Sequence, residues 1–390
     1  MFTNQESAFA RVFQAASPEK KERLLRSVNE RVADILQKEG VSAPSVEFHV
    51  ALICNADASD ALALKEELEK SDVFIPELAG TDEKTISILN RLSQGEIKPR
   101  EAYRQMLVQA SGSTVFGSIL SVFGVPLTNF QEFETALHKI LYKSEKKVAH
   151  VDVGKDSDLP FFISMAFRDV ANSLKKLLVK KNLSFEDARE NVARSMIKVG
   201  LAQKLREEHM LNTLPQAIAK TILKNEDLQH PNRTEPIRVF MFLGADHETV
   251  PRKIEQVGDS ITYEKVQKTK KSRESITQKV CAGETITEED KNYFVLTTIF
   301  SALYQSAPKK IKARHKDFVH KFSKGALVSV LADVYIDNAE EIYNTFKGGA
   351  PKNLSEFKYN EFIIRFFIQL LNEREDEIEL ALNTFENENG

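Results

Sequence analysis

A strand, a helix and a second strand are predicted between residues 46 and 77, and this unit constrains the fold most strongly. The run VEFHVALIC (46–54) is apolar, rich in β-branched residues and of strand length. Helix-capping residues follow at 55–60, then a helical pattern with paired charges at 61–70, then a short apolar run that ends at Glu77. Because strands joined through a helix pair in parallel, the sequence predicts a parallel sheet.

Three more strand-like runs are predicted after this unit, and long helical patterns separate them. The strand-like runs are residues 147–153 (KVAHVDV), 238–243 (RVFMFL) and 260–266 (SITYEKV). The helical patterns are residues 81–145, 160–224 and 287–390. The predicted fold class is therefore α/β, with a small, mostly parallel sheet, large helical insertions and a helical C-terminal extension.

Four regions are predicted from these patterns. They are N-terminal helices at 1–40, an α/β core with helical insertions at 41–266, a basic connector at 267–286 and a C-terminal helical region at 287–390. The second N-terminal helix is predicted to start at Ser17-Pro18-Glu19, where serine can cap free amides and proline suits the first turn, and to end at Gly40. Because the connector is rich in polar and basic residues, we expect an exposed loop there.

Charge, cysteine content and missing motifs narrow the function classes. The 54 Lys and Arg against 57 Asp and Glu leave a net charge of -3, so the overall charge gives no reason to expect a nucleic-acid partner, although it leaves room for a local basic patch. Two widely separated cysteines favour neither a disulfide framework nor a cysteine zinc site. The sequence contains no Gly-x-Ser-x-Gly, His-Glu-x-x-His or nucleotide-binding glycine pattern. Since it also shows no secretory signal and no long uncharged apolar run, we expect no membrane insertion and a cytoplasmic location.

Polar side chains are predicted to line the carboxyl edge of the sheet, where ligands bind in open α/β folds. They follow the first four strands: Asn55, Asp57 and Asp60 after the first, Glu77 after the second, Asp152 after the third, and Asp246 with His247 after the fourth. Such groups can hold a divalent metal that activates water, with Asp57, Asp246 and His247 as the candidate ligands. They can also act as general bases without a metal. The structural alternative is that Asp57 and Asp60 cap the following helix, and that Glu77 and His247 have capping or loop roles.

Three motifs along the chain resemble those of one protein superfamily. They are FIPEL at 74–78, REEHM at 206–210 and FLGADH at 242–247. Their order is similar to that in the erythromycin esterases, the ChaN-like haem-binding lipoproteins and the TraB/Tiki proteins. In that superfamily a second strand ends in glutamate, a helix carries Arg-Asp/Asn-x-x-Met-Ala, and a late strand ends in Gly-x-x-His. The run at 148–153 also resembles the strand that precedes the helical insertion in these proteins, and the resemblance spans about residues 46–266.

The resemblance implies an active-site cluster, but this chain departs from the superfamily pattern at one motif. Glu77, Arg206 and His247 would belong to the cluster, and Glu207 takes the position that Asp or Asn usually holds. The superfamily's first strand ends in a G-E/x-x-H motif. This chain has CNAD at 54–57 instead, with neither the glycine nor the histidine.

Three hypotheses about function follow. The first is a hydrolase that cleaves an ester, lactone or peptide bond with a Glu/Arg/His cluster on the sheet edge, with or without a divalent metal. The second is a non-catalytic descendant of that fold, which binds a small molecule, a peptide or a protein. The third is an interaction protein whose C-terminal helices bind a protein partner.

Overall fold

The computed structural model describes most of the chain in eleven stretches. They are residues 25–42, 44–53, 58–77, 83–110, 127–154, 159–179, 183–229, 235–266, 274–306, 324–350 and 360–387. Two compact units divide the chain: residues 1–165 with 202–267, and residues 166–201 with 268–390. Both units are discontinuous in sequence, and the four regions predicted above remain predictions. None of the helices in the described stretches combines the length and the apolar sequence needed to cross a bilayer.

Within the described residues, the first unit is built on a sheet of five parallel strands. In chain order they are β1 (Val46–Ile53), β2 (Val73–Pro76), β3 (Lys147–Val148), β4 (Ile237–Gly244) and β5 (Ile261–Val266). Their order across the sheet is β3-β2-β4-β1-β5, and every neighbouring pair is parallel. The predicted α/β class, with helical insertions and C-terminal helices, is confirmed.

Fifteen α-helices lie in the described residues. They are α1 (Val28–Lys38), α2 (Ala58–Ala63), α3 (Lys65–Lys70), α4 (Glu83–Ser93), α5 (Pro99–Ala110), α6 (Leu127–Leu141), α7 (Leu159–Val179), α8 (Phe185–Lys224), α9 (Thr249–Gln256), α10 (Ile276–Ala282), α11 (Glu288–Ser306), α12 (Lys324–Val334), α13 (Ala339–Gly349), α14 (Glu361–Glu373) and α15 (Glu375–Asn387). Helices α7 and α8 contribute residues to both units.

Helices cover both faces of the sheet, which explains the almost continuous apolar character of its strands. On β1, Phe48, Val50 and Leu52 pack in a buried cluster with α1, α8 and α9. The alternate residues Ala51 and Ile53 pack in a second cluster with α2 to α6. Side chains alternate between faces along a strand, so a strand that is buried on both sides needs apolar residues at successive positions.

Strand β3 is shorter than the sequence predicts. The apolar run at 147–153 suggested a full strand, but only Lys147–Val148 pair with β2. Asn90 of α4 binds the outer edge: its Oδ1 accepts a hydrogen bond from the Val148 N–H at 2.9 Å, and its Nδ2 donates to the Val148 carbonyl at 3.1 Å. An amide side chain therefore takes the place of a further strand at this edge.

The start of α1 is held by an acidic residue from a distant part of the chain. Ser27 is the N-cap, and the Asp259 carboxylate accepts hydrogen bonds from the Ser27 hydroxyl at 2.6 Å and from the Val28 and Asn29 N–H groups at 2.6 and 3.0 Å. Asn29 also binds both backbone groups of Val46 at the start of β1. The predicted helix start at Ser17 lies outside the described residues, and the predicted stop at Gly40 is confirmed by its positive φ of 73°.

Helix α8 contains a proline, and an arginine from α1 satisfies the carbonyl that this proline leaves free. Pro215 has no N–H, so it cannot bond the carbonyl of Leu211 four residues earlier. Arg31 donates from Nη1 to that Leu211 carbonyl at 3.2 Å, and from Nη2 to the Asn212 carbonyl at 3.0 Å. The guanidinium thus replaces a missing backbone donor within the helix.

The effect of Arg31 on stability should depend on Pro215. Arg31→Met is expected to lower the free energy of unfolding by about 1–3 kcal/mol, since it leaves the Leu211 carbonyl without this donor. In a Pro215→Ala background the new N–H can bond Leu211, so the same change should cost about 1 kcal/mol less. Urea unfolding of the four proteins measures this coupling. If the effects of the two single changes simply add, Arg31 does not compensate for Pro215. Arg26→Met is the control, because Arg26 forms ion pairs with Glu30 and Asp34.

In the second unit, side chains of α13 satisfy one carbonyl in the last turn of α7 and one in the segment between α7 and α8. The buried Lys347 donates to the Leu177 carbonyl at 3.1 Å, and the Tyr343 hydroxyl donates to the Leu183 carbonyl at 2.8 Å. A lysine near a helix C-terminus also interacts favourably with the partial negative charge at that end of the helix dipole. Burial raises the pKa of Tyr343 to about 12, so its hydroxyl keeps the proton that it donates.

Candidate active site

Strand pairing brings Glu77 and His247 to the same edge of the sheet. Glu77 directly follows β2, and its N–H donates to the Phe242 carbonyl of β4 at 3.0 Å. Gly244 ends β4, and His247 lies on the short 3-10 turn that follows it. Since β2 and β4 are parallel neighbours, their carboxyl ends meet, and the two side chains come within contact distance.

Helix α8 and the segment after β3 supply the other members of the cluster. Gln203, Arg206 and Glu207 are spaced three and four residues apart, so they share one face of α8. Asp152 comes from the segment that follows β3. Thr213 of α8 donates its hydroxyl to the Val151 carbonyl at 2.7 Å, which holds that segment against the helix.

Arg206 joins two carboxylates of the cluster. Its Nε donates to Asp152 Oδ1 at 2.8 Å and its Nη2 donates to Asp152 Oδ2, a bidentate pair. Its Nη1 lies 2.8 Å from Glu77 Oε1. Asp152 is 2 % exposed and Arg206 8 % exposed, so both charges of the pair are removed from water.

His247 lies between two glutamates. Its Nε2 is 3.2 Å from Glu77 Oε1, and its Nδ1 is 3.4 Å from Glu207 Oε1. The fully buried Glu207 Oε1 accepts no hydrogen bond from the described residues, so the contact with Nδ1 is an ion pair at longer range. Thr249 donates its hydroxyl to the other oxygen of Glu207. The Gln203 amide nitrogen lies 2.8 and 2.7 Å from the two ring nitrogens.

The charges of the cluster set the protonation of its members. Burial lowers the pKa of His247, but Glu77 and Glu207 outweigh burial and raise this pKa to about 9. Burial raises the pKa of Glu77, but Arg206 and His247 outweigh it and hold this pKa well below the ordinary range. Burial lowers the pKa of Arg206, but Asp152 and Glu77 raise it above its ordinary value. At neutral pH the cluster therefore contains a carboxylate, a guanidinium and an imidazolium in contact.

The structure brings together all four residues that the sequence suggested for catalysis: Glu77, Arg206, Glu207 and His247. Their catalytic role remains a prediction. The sequence predicts Asp152 at the sheet edge, and the structure adds its two hydrogen bonds with Arg206. Gln203 and Thr249 were not identified, although the spacing of Gln203 from Arg206 and Glu207 on one helix face was a usable signal.

The metal set suggested by the sequence is not assembled in the described part of the chain. Asp57 lies outside the described residues, and Asp246, half-buried beside His247, makes no hydrogen bond or ion pair with the cluster. Arg206 Nη1 lies 3.1 Å from Nε2 of His247, where it would repel a metal cation. The cluster as built therefore does not fit a metal at His247.

One group of three metal-type side chains does converge in the described stretches, in the second unit. Glu186, Glu190 and Glu288 offer oxygens within 4.8 Å of one another. Arg189 already lies 2.7 Å from Glu288, and Lys291 lies 2.7 Å from Glu190. Because these cations neutralise the carboxylates, we interpret the group as an ion-pair network.

No protein-family model, curated protein or solved structure matches this chain significantly. The resemblance to the erythromycin esterase, ChaN and TraB/Tiki superfamily therefore rests on the order of three motifs. The chemistry of the cluster has to be argued from its own contacts, charges and burial.

Proposed function

We propose that the cluster of Glu77, Arg206, Glu207 and His247 is the active centre of a hydrolase that cleaves an ester, lactone or peptide bond. One observation carries the proposal: an imidazole lies between two carboxylates with a guanidinium beside it, at the edge of a parallel sheet where active sites form. The motif order described above supports the same class of reaction.

Glu77 is the group best placed to meet substrate and water. Its side chain is 21 % exposed, whereas those of Arg206 and His247 are 9 % and 2 % exposed. In the proposed reaction, water attacks the carbonyl carbon, its proton passes to Glu77, and the carbonyl electron pair moves onto oxygen. The tetrahedral intermediate then collapses, and the leaving oxygen or nitrogen departs with the proton held by Glu77.

Arg206 and the imidazolium of His247 would stabilise the negative oxygen of the intermediate. In the resting cluster both cations lie against Glu77 Oε1, which makes Glu77 a weak base. When a substrate oxygen attracts these two donors, their interactions with Glu77 weaken. The basicity of Glu77 then rises. Proton transfer to Glu77 and charge formation on the substrate are thereby coupled.

Glu207 and Asp152 act as positioning residues in this proposal. Glu207 faces Nδ1 of His247 at 3.4 Å, and this ion pair favours the ring orientation in which Nε2 points at Glu77. Glu207 thus has the position, without the hydrogen bond, of the buried acid in hydrolytic triads. Asp152 holds Arg206 by two hydrogen bonds, so the third guanidinium nitrogen points at Glu77.

Replacing Glu77 by glutamine should abolish most of the activity. We expect kcat/KM on a panel of nitrophenyl esters, lactones and peptides to fall by about 10²–10⁴, because the amide cannot accept the proton of water. Wild-type activity should decline as the pH rises through about 9, where His247 loses its charge. It should also survive a chelator.

Glu83→Gln is the matched control for this change. Glu83 lies at the start of α4, is strongly exposed, and pairs with Lys220 at 3.0 Å. Its replacement should leave kcat/KM unchanged. Undiminished turnover by Glu77→Gln, or turnover that requires an added divalent metal, would contradict the proposed mechanism.

A second function is favoured by a specific observation. Each cation of the cluster already has a carboxylate partner, so the network is electrostatically complete without a substrate. This suits a non-catalytic descendant that binds a small molecule or peptide, or a protein through its C-terminal helices. Absence of turnover by the wild type across all three substrate classes would favour this second function. A cytoplasmic location is part of both proposals.

A further inference from the structure

Three hydrogen-bond donors converge on the Glu77 carboxylate. Arg206 Nη1 and His247 Nε2 lie 2.8 and 3.2 Å from its Oε1, and the Gly244 N–H donates to its Oε2. Both oxygens are therefore held, one by two cationic donors and the other by backbone. A guanidinium, a second cation and a backbone N–H are the donors with which proteins bind carboxylate ligands.

The donors are fixed independently of Glu77. Asp152 binds Arg206 through two hydrogen bonds, Glu207 faces the other nitrogen of His247, and Gly244 is the last residue of a central strand. The Glu77 side chain is more exposed than those of Arg206 and His247. A preorganised set of donors keeps its geometry when its acceptor changes, which favours binding of another anion of the same shape.

Gly244 allows a carboxylate to approach the backbone closely. A Cβ atom built at this position would lie 3.1 Å from Glu77 Oε2, tighter than nine in ten real contacts of that kind, so the carboxylate would have to shift by a few tenths of an ångström. Any side chain at 244 would therefore crowd the oxygen that accepts the Gly244 N–H. The absence of a side chain at 244 thus favours the close approach of a planar carboxylate to this strand end.

We infer that Arg206, His247 and the Gly244 N–H form a carboxylate-binding site, that Glu77 is its built-in occupant, and that the ligand of this sheet edge carries a carboxylate. The identity of the natural ligand rests on the proposed function, since hydrolysis of an ester, lactone or peptide releases a carboxylate at this place. The ligand class is then the acid product, which competes with Glu77 for the same donors.

Glu77→Ala tests this inference because it empties the site while leaving all three donors. Sodium acetate and sodium formate are titrated at constant ionic strength against sodium chloride, and binding is followed by the thermal midpoint and by calorimetry. We expect a saturable stabilisation by acetate and formate in Glu77→Ala. Wild-type protein should bind acetate about tenfold or more weakly, the factor that one charge-assisted hydrogen bond supplies.

Two variants separate this site from a general effect of anions. Glu77→Gln keeps the volume of the side chain and should not bind acetate, because its amide fills the site. Glu77→Ala combined with Arg206→Met should also lose acetate binding. A folded Glu77→Ala protein without acetate-specific stabilisation would overturn the inference, as would equal stabilisation by sulfate.

A folding defect in Glu77→Ala would not prevent the test. The yield of refolding would then be measured against acetate concentration, where recovery by acetate and not by chloride supports the site and no recovery refutes it. The proposed hydrolysis is assayed separately on wild-type protein. Turnover without acetate binding in Glu77→Ala refutes only the carboxylate site, and acetate binding without turnover refutes only the hydrolase.

Discussion

Replacing Arg206 by methionine is expected to lower the free energy of unfolding by about 3–5 kcal/mol, the usual effect of removing one partner of a buried ion pair. Asp152 would keep a charge at 2 % exposure without its bidentate partner. Glu77 would lose one of its two cations at the same time. Urea denaturation followed by circular dichroism measures the change, and a loss below about 1 kcal/mol would contradict the picture of a buried, strongly coupled cluster.

Two further variants test whether the unpaired charge of Asp152 causes the loss of stability in Arg206→Met. Asp152→Asn added to Arg206→Met removes that charge. The asparagine keeps a side-chain oxygen that can accept the hydrogen bond that the Val153 N–H donates to Asp152 Oδ1 at 2.7 Å. The double variant should therefore regain much of the lost stability. Arg365→Met is the surface control: its ion pair with Glu361 is almost fully exposed, so the change should stay within about 0.5 kcal/mol.

Truncating Asp259 to alanine is expected to lower the free energy of unfolding by about 2–4 kcal/mol. This exceeds the roughly 1 kcal/mol of an ordinary helix cap, because a buried carboxylate accepts four hydrogen bonds from Ser27, Val28 and Asn29, which donates through both its backbone and its side-chain amide. Without it, the first N–H groups of α1 lose their partners. Hydrogen exchange should report faster opening of α1, and denaturation should report the loss of stability.

Asp259→Asn is the graded control for the alanine variant. The amide keeps one acceptor oxygen and the shape of the side chain, but it loses the charge that favours a helix N-terminus. We expect a smaller loss, about 1 kcal/mol. Equal effects of asparagine and alanine would show that packing around Asp259, and not its hydrogen bonds to α1, stabilises the helix.

Much of the fold could be predicted from local sequence. The runs at 46–54, 238–243 and 260–266 match β1, β4 and β5 closely, because strands that are buried on both faces need apolar residues at successive positions. The run at 147–153 failed as a full strand. Strand length depends on the partner, and β2 pairs with only two residues of this run.

The candidate site was predictable in part. Glu77 and His247 could be found because each follows a strand, and Arg206 with Glu207 because their motif resembles that of a known superfamily. The partners of these residues could not be found in this way. Thr249 and Asp152 lie 42 and 54 residues from the groups that they bind, and no local pattern connects them.

The sequence by itself determined most strand and helix positions, with the end of β3 as an exception, and which polar residues follow the strands, because burial and helix capping act over a few neighbouring residues. Only the tertiary structure decided which charges meet. The order β3-β2-β4-β1-β5 places the ends of β2 and β4 side by side, and packing of α8 on that sheet brings Arg206 between Asp152 and Glu77. Strand order is set by packing between segments that are distant in the chain, so it leaves no local pattern in the sequence.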